Sequence, residues 1–416
     1  MPGVMRRMCT GPPVPAAAAP VLSRARRRPH MRAMAEPLAL YVHWPFCRTK
    51  CPYCDFNSHV RPRIEQALWR RALLAELEHW IGRLDPRRLV SIFVGGGTPS
   101  LMDPATVEAL IARAVAAWPP EGALEVTLEA NPTSVEAGRF RAYRAAGVDR
   151  VSIGVQALDE AALRFLGREH SVADALAAVE LAAAVFPRVS FDLIYARPGQ
   201  SAAAWEAELG RALALGTGHL SLYELTIEEG TRFHAEVEAG RLRPLAEDEQ
   251  ALLFELTDAI TAAAGLPAYE VSNHARPGEE CRHNLVYWRY GEYVGIGPGA
   301  HGRVVVDGVR LATRTHRPPE RWLAQVREAG HGLEAEEPLA PSTQAVEALM
   351  MGLRLREGVP LARLEALAGC PRDELVDARQ RARLEEAGLL RPDPERLIAT
   401  AAGRLRLDGI LRALLR

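Results

Sequence analysis

From residue 38 onward, short apolar runs alternate with longer segments in which apolar residues recur at spacings of three and four. Apolar runs bounded by turn formers read as strands buried on both faces, as in a parallel sheet, and the longer spacing reads as amphipathic helix. The strands predicted are Leu38–Val42, Leu89–Val94, Leu124–Leu128, Arg150–Val155, Val189–Ile194 and His219–Leu225. Between them lie helices such as Ile64–Ile81, Pro104–Ala117, Ser134–Ala146 and Val172–Val185, with Gly147 and Gly216 where helices should stop. Six such units in a row predict an α/β fold, a complete or partial TIM-like barrel. The rhythm breaks over Pro267–Gly302, which is rich in glycine and holds Tyr287, Trp288, Tyr290 and Tyr293. Beyond Pro318 and Pro319 the chain turns helical and charged over Thr343–Arg356, Pro360–Ala368 and Arg372–Ala387, with Leu397–Thr400 as a candidate wing strand.

The pattern divides the chain into an Arg/Pro/Ala-rich extension over 1–36, a barrel core over 37–265, a barrel-closing region over 266–317 and a mainly helical, winged-helix-like C-terminal domain over 318–416. The extension lacks an acidic residue before Glu36 and is expected to be disordered, either as a targeting peptide or as sequence upstream of a start at Met31 or Met34. The winged-helix reading would suggest DNA binding. However, Glu357, Glu365, Glu374, Asp377, Glu385 and Glu386 interrupt any basic face, so a packing or lid domain is expected and nucleic acid is not.

The chain carries 51 basic and 52 acidic side chains, so no global charge draws it to nucleic acid or membrane. The apolar stretches are too interrupted for a membrane-spanning helix. Six cysteines are too few for a disulfide scaffold in 416 residues, and Cys47, Cys51 and Cys54 crowd directly behind the first strand as C-x3-C-x2-C. A structural zinc ion would need a fourth ligand, for which His43 and His59 are the near candidates. Three thiolates on one tight loop suit a cubane iron–sulfur cluster with one iron left open. In α/β barrels the chemistry sits at the C-terminal ends of the strands. There the sequence places Tyr41 and His43, then Gly95-Gly96-Gly97-Thr98-Pro99, Glu129, Gln156 and Asp192, polar or glycine positions on one rim.

The cysteine spacing resembles that of the radical S-adenosylmethionine (SAM) enzymes. Tyr41-Val-His-Trp-Pro-Phe-Cys47, Gly95-Gly-Gly-Thr-Pro, Ser152-Ile-Gly-Val-Gln156 and Asp192-Leu-Ile-Tyr195 resemble the branch that contains oxygen-independent coproporphyrinogen III dehydrogenase and the HemW-type haem chaperones, over roughly residues 38–415. The resemblance implies a partial (β/α)6 barrel, with a 4Fe–4S cluster on Cys47, Cys51 and Cys54. It implies SAM contacts from Tyr41, Tyr53, Gly96 and Glu129, a pocket continued by Gly97, Thr98, Gln156, Arg168 and Asp192, and a backbone contact to adenine from Ile296. The dehydrogenase pattern has a further cysteine where this chain has Phe56, which favours the chaperone.

His283-Asn284-Leu285-Val286-Tyr287-Trp288 matches the H-N-x-x-Y-W motif of HemW-type proteins, which implies haem at His283 with Tyr287 and Trp288 packing on the porphyrin. Imidazole is a usual axial ligand of haem iron and aromatic rings pack on its face. His274 and His301 are weaker candidates for the ligand, while Cys281 and Cys370 read as packing. Arg197, where the family commonly has Gly-Leu at Ala196-Arg197, is expected near the barrel mouth. The function implied is a haem chaperone that binds the cluster, SAM and haem and serves haem-acceptor proteins, with an electron donor and a homodimer as further partners to test. Its place is the cytoplasm, or the mitochondrion if the extension is a transit peptide. The alternatives are the dehydrogenase itself and a radical SAM methyltransferase.

Overall fold

The structure, a computed structural model, describes residues 37–133 and 138–415. The extension over 1–36 and the first turn of the helix expected from Ser134 lie outside the described residues.

Six parallel strands form the body of one sheet: β1 (Pro37–Trp44), β2 (Arg88–Gly96), β3 (Glu125–Ala130), β4 (Arg150–Gln156), β5 (Arg188–Tyr195) and β6 (His219–Glu224). Their order in the sheet is their order in the chain, the arrangement of consecutive βα units. Each predicted strand is present within two residues of its expected ends. The helices that cross back include α1 (Gln66–Arg83), α2 (Pro104–Ala117), α3 (Phe140–Ala145), α4 (Val172–Val185) and α5 (Ala202–Ala214). Helix α4 opens on a capping box between Ser171 and Asp174, and Gly147 and Gly216 take φ of 105° and 71° past the helices they end.

The sheet remains open. Beyond β6 lies the short antiparallel β7 (Asn273–Ala275), and beyond β1 lies β8 (Glu292–Ile296), parallel to it, followed by antiparallel β9 (His301–Val306), β10 (Val309–Thr315) and β11 (Leu333–Pro338). The glycine- and aromatic-rich break in the pattern therefore supplies sheet extension as well as loop. Helix α6 (Arg282–Trp288) packs on β2 and β8. One apolar core links both faces of the sheet, from Leu38, Leu40 and Trp44 to Leu220 and Leu253. Glu76, buried on α1, accepts from the backbone N–H of Gly297 and Gly332 and from Trp322 Nε1, which pins the turn after Ile296 to the barrel wall.

A second core gathers Leu349, Leu353, Leu361, Leu364, Leu397, Ile410 and Leu414 from the C-terminal segment. Strand Arg396–Ala399 pairs with Val359–Pro360 on one side and Leu390–Arg391 on the other, so the wing strand sits in a small three-stranded sheet among helices. The helix expected over Arg372–Ala387 is broken into Arg372–Leu375 and Ala378–Glu386. Asp377 is the cause: its carboxylate caps the second piece by accepting from Arg379 and Gln380 N–H, while Val376 is extended and bridges Leu415.

Candidate functional site

The cysteine loop leaves β1 through a narrow neck. Phe46–Cys47 pairs in parallel with His59–Val60, and Pro45 O accepts from His59 N–H at 2.7 Å. Gly97, after β2, comes against this neck; a Cβ there would lie 2.8 Å from Phe46 O and 3.0 Å from Cys47 Sγ, so only glycine fits. Gly96 takes φ of 116° and donates its N–H to Glu129 Oε2 at 3.0 Å.

Cys47, Cys51 and Cys54 line one cavity of about 140 Å³ at the C-terminal ends of the strands. Tyr53, Gly96, Gly97, Thr98, Glu129, Gln156, Arg168 and Asp192 share its wall, so most of the sequence-predicted site residues are brought together. Tyr41 faces an adjoining cavity that shares Gly96 and Glu129, and Ile296 is buried in β8 beside Val42. Gln156 ends β4 at φ of 70°, and the register with β5 shifts there. A non-glycine residue in the left-handed region is strained, and here it turns the amide into the cavity wall.

The sulfurs are already addressed by donors. Thr98 Oγ1 donates to Cys47 Sγ at 3.3 Å, Arg168 Nη1 to Cys51 Sγ at 3.4 Å, and Ser58 Oγ lies 3.8 Å from Cys54 Sγ. Asn131, which sequence reasoning missed although it follows Glu129 at the same strand end, orients both donors. Its side chain accepts from Arg168 Nη2 at 2.6 Å and donates to Thr98 Oγ1 at 3.1 Å. Burial pushes the Cys47 thiol up to about 11, and Cys54 upward as well. Such thiols ionise at neutral pH only when a cation takes the proton's place.

This donor set fits a cluster better than a single ion. Among the described residues no three His, Cys, Asp or Glu side chains are gathered closely enough to hold one metal ion. His43 has both ring nitrogens engaged, with Tyr41 OH at 2.9 Å and Asn57 O at 3.0 Å, and His59 is paired with Asn57 Oδ1 at 3.1 Å. Three thiols around one cavity, each with its own donor, suit a group that presents a separate iron to each.

Deeper in the lumen, burial and then the Asp192 charge raise Glu129 to about 8, and burial raises Asp192 to about 6 despite hydrogen bonds from Ser221 and Ser152. Two carboxyls raised together at a cavity wall are poised for a cationic ligand.

The geometry corrects one expectation and defines the setting of another. Arg197 does not reach the mouth: it is buried and paired with Glu208 of α5, and also donates to Ile194 O at 2.9 Å. Ala196 beside it takes φ of 57°, which accounts for the glycine common there in the family. His283 offers no open nitrogen in this conformation. It is 1% exposed, with Ser91 Oγ 2.8 Å from Nδ1 and Tyr287 OH on Nε2. Its backbone N–H donates to Glu125 at the start of β3, and burial holds its ring neutral with a pKa near 3. Helix α6 thus plugs the N-terminal end of the barrel, opposite the cysteines. Tyr287 and Trp288 face a separate cavity of about 180 Å³ with Tyr290, Tyr293, Arg303, Glu347 and Met351. Of the other candidates, Cys281 is buried beside Glu125, His274 is buried against Thr261, and His301 is exposed at the barrel mouth.

Residues 41–210 match the family model of the Radical SAM superfamily, and residues 339–406 match the HemN C-terminal domain. The chain is 40% identical to "Radical S-adenosyl methionine domain-containing protein 1, mitochondrial" of Bos taurus, over 91% of this chain and 87% of that protein. It is 38% identical to "Heme chaperone HemW" of Escherichia coli strain K12, over 91% of this chain and 98% of that protein. Among solved structures, coproporphyrinogen III oxidase (HemN) from Escherichia coli superimposes with a TM-score of 0.75 at 23% identity, over 92% of this chain and 91% of that one, a likeness of fold. Likeness of this extent, at both domain models and along nearly the whole length of its relatives, means that the chain belongs to the radical SAM superfamily and, within it, to the HemW-type branch.

Proposed function

We propose that this protein is a HemW-type haem chaperone, which takes up haem and passes it to acceptor proteins. The observation that carries the reading is the 38% identity to a protein named haem chaperone HemW along 98% of that protein's length. Phe56, where the dehydrogenase pattern has a further cysteine, supports it. Membership of the radical SAM superfamily brings a 4Fe–4S cluster and SAM as cofactors. In this reading Cys47, Cys51 and Cys54 hold the cluster, and when bound it supplies one-electron chemistry beside SAM. The chain's part is to prepare the site. Thr98 and Arg168 stabilise anionic sulfur by hydrogen bonds, and Glu129 receives the cationic end of SAM. Tyr53, Gln156 and Asp192 line the remaining wall, and Gly97 keeps the backbone close to Cys47.

The haem acceptor and an electron donor are protein partners in this proposal, with the C-terminal segment over 318–416 as a lid on the barrel. No helix among the described residues is long and apolar enough to cross a membrane. We place the protein in the cytoplasm, with the mitochondrion as the alternative that the name of the Bos taurus relative raises. The test is an anaerobic titration of haem into cluster-reconstituted protein, followed by the Soret band. Saturable binding near one haem per chain is expected. Binding that never saturates would refute the chaperone, and coproporphyrinogen III consumption with SAM would then identify the dehydrogenase.

A further inference from the structure

The hydrogen bonds that leave the cysteine cavity through Asp192 continue past the barrel wall. Asp192 on β5 stands opposite Ser221 on β6, and Ser221 opposite Asn273 on β7, each pair in register. Ser152 Oγ donates to Asp192 at 3.2 Å, and Ser221 shares a hydrogen bond with the same carboxyl. Ser221 Oγ also donates to Asn273 Oδ1 at 3.0 Å, and Asn273 Nδ2 donates to Glu270 Oε1 at 2.6 Å. Glu270 Oε2 accepts from Arg354 Nη2 at 3.0 Å, and the central carbon of the Arg354 guanidinium lies 4.5 Å from the ring centre of Trp288. The path therefore runs from the cavity wall across three strands to the last residue of α6, and its final link is a residue of the C-terminal segment.

Ser221, Asn273 and Glu270 are buried, so each is bound to its neighbours by the cost of leaving a buried polar group unpaired. Glu270 is fully enclosed, and the Arg354 charge offsets its own. Trp288 Nε1 and Arg354 Nε have no hydrogen-bond partner among the described residues, which leaves the cation–π stack to fix the two against each other. None of Ser221, Asn273, Glu270 and Arg354 lines the cysteine cavity, so contact with the cluster or SAM does not account for them. Ser221 is the point at which the path has two states. Its hydroxyl carries one hydrogen and has two acceptors in reach, the Asp192 carboxylate and Asn273 Oδ1. A cation seated against Asp192 takes up that carboxylate, and the hydrogen settles on Asn273. The Asn273 amide is then held with Nδ2 toward Glu270, and Glu270 holds Arg354 over Trp288.

We propose that Ser221, Asn273, Glu270 and Arg354 are positioning residues that couple a cation in the cysteine cavity to the seating of Trp288 and of the C-terminal segment. SAM, with its ammonium and sulfonium groups, is the cation in question, so the inference rests on the SAM reading of the cavity and is independent of haem. It goes beyond the chaperone reading because it joins the two ends of the barrel. Occupancy at the cysteine end sets the order of the helix that carries His283-Asn284-Leu285-Val286-Tyr287-Trp288 at the other. Such coupling is reciprocal: loosening Arg354 from Trp288 weakens the binding of SAM by the same factor by which SAM tightens that contact.

The test uses cluster-loaded full-length protein under anaerobic conditions. Hydrogen exchange with and without saturating SAM, read by mass spectrometry, and SAM affinity by calorimetry are compared in wild type, Ser221→Ala, Arg354→Gln and Arg354→Lys. In wild type, SAM should slow exchange about threefold or more over residues 282–289 and 341–356. Arg354→Gln, outside the SAM pocket, should lose that protection and weaken SAM binding by about threefold or more. Arg354→Lys keeps a cation for Glu270 and Trp288 and should restore most of both. Ser221→Ala should lose the protection even at saturating SAM, and adding Arg354→Gln to it should weaken SAM binding no further than the larger single effect. If thermal unfolding and iron content show that Arg354→Gln does not fold, the double variant Glu270→Gln/Arg354→Gln, which keeps a neutral hydrogen-bonded pair, takes its place. Wild type that binds SAM with no change in exchange at the two segments overturns the coupling, and so does equal protection in wild type and Arg354→Gln. A wild type that binds no SAM would instead remove the reading of the cavity on which the coupling stands.

Discussion

Replacing Glu129 by glutamine tests the lumen directly. The substitution keeps the shape and an amide oxygen for the Gly96 N–H, which now lies 3.0 Å from Oε2, and removes only the charge. With its carboxyl raised to about 8 by burial and Asp192, Glu129 is about three-quarters protonated at pH 7.5. Ionising it to meet the ammonium of SAM then costs about 0.8 kcal/mol. A contact between unit charges at about 4 Å is worth roughly 4 kcal/mol at an effective dielectric constant near 20. The net gain of about 3 kcal/mol corresponds to roughly 100-fold in affinity, and the neutral hydrogen bond left to glutamine returns up to about tenfold of that. SAM should therefore bind roughly 10- to 100-fold more weakly to Glu129→Gln.

The more discriminating readout is the proton. Binding SAM at pH 7.5 should release about 0.8 of a proton from Glu129, whereas the glutamine variant releases none there. Calorimetry in two buffers of different ionisation enthalpy measures the difference, in which the titration of SAM itself cancels. The Gln variant binding SAM with the same affinity and the same proton count as wild type would refute the placement of the carboxylate against the ligand.

Replacing Cys47, Cys51 or Cys54 by alanine should abolish the cluster, read as lost iron and lost visible absorbance after anaerobic reconstitution; retention of both in any single variant counts against the donor set. Arg197→Met leaves Glu208 buried with only Gln200 Nε2 and Leu158 N–H, and should cost about 3–5 kcal/mol in urea unfolding while iron content per folded protein stays unchanged. Between pH 7 and pH 8.5, where the buried histidines are neutral folded and unfolded, cofactor-free protein should lose stability as pH rises. Glu129 holds a proton in the fold that unfolding would release, so its contribution is full below its ordinary pKa and is lost as pH rises through about 8. Thermal midpoints measured at pH 7 and pH 8.5 give the sign; a midpoint that rises with pH contradicts it.

The six barrel strands were legible because both of their faces are apolar, and burial is what periodicity reports. The same applies to Pro104–Ala117 and Val172–Val185, whose observed ends match the expected ones because Asp103 and Ser171 cap them visibly in the sequence. The open-sheet extension was not legible: β8 to β11 come from a stretch where glycines and exposed residues dilute the alternation, and although β9 to β11 pair with their chain neighbours, β8 joins the barrel through a partner more than 200 residues away, as between Leu38 and Glu292. At the site, the rim residues could be read because barrels concentrate polar groups at strand ends. Asn131 could have been added by the same rule. Arg197 misled because a cation past a strand end looks available until its buried partner Glu208, nearly two turns into the next helix, is known.

His283 shows what a buried histidine of a motif must give up before it can meet a ligand. The floor of the barrel gathers Glu125, Arg150, Arg188 and His219 with the start of α6, all buried or nearly so. Burial of Glu125 is offset by Arg188 at 2.5 Å and by the N–H groups of Arg282 and His283, an acceptor placed where the first turn of a helix has free donors. With the helix so anchored, His283 is forced inward onto Ser91 and Phe93, where an imidazole can satisfy both Ser91 and Tyr287. A histidine at this position therefore answers a structural need that any haem role would have to break, because freeing Nε2 for iron would leave Tyr287 OH and the charges around Arg150 to be repaired in the core.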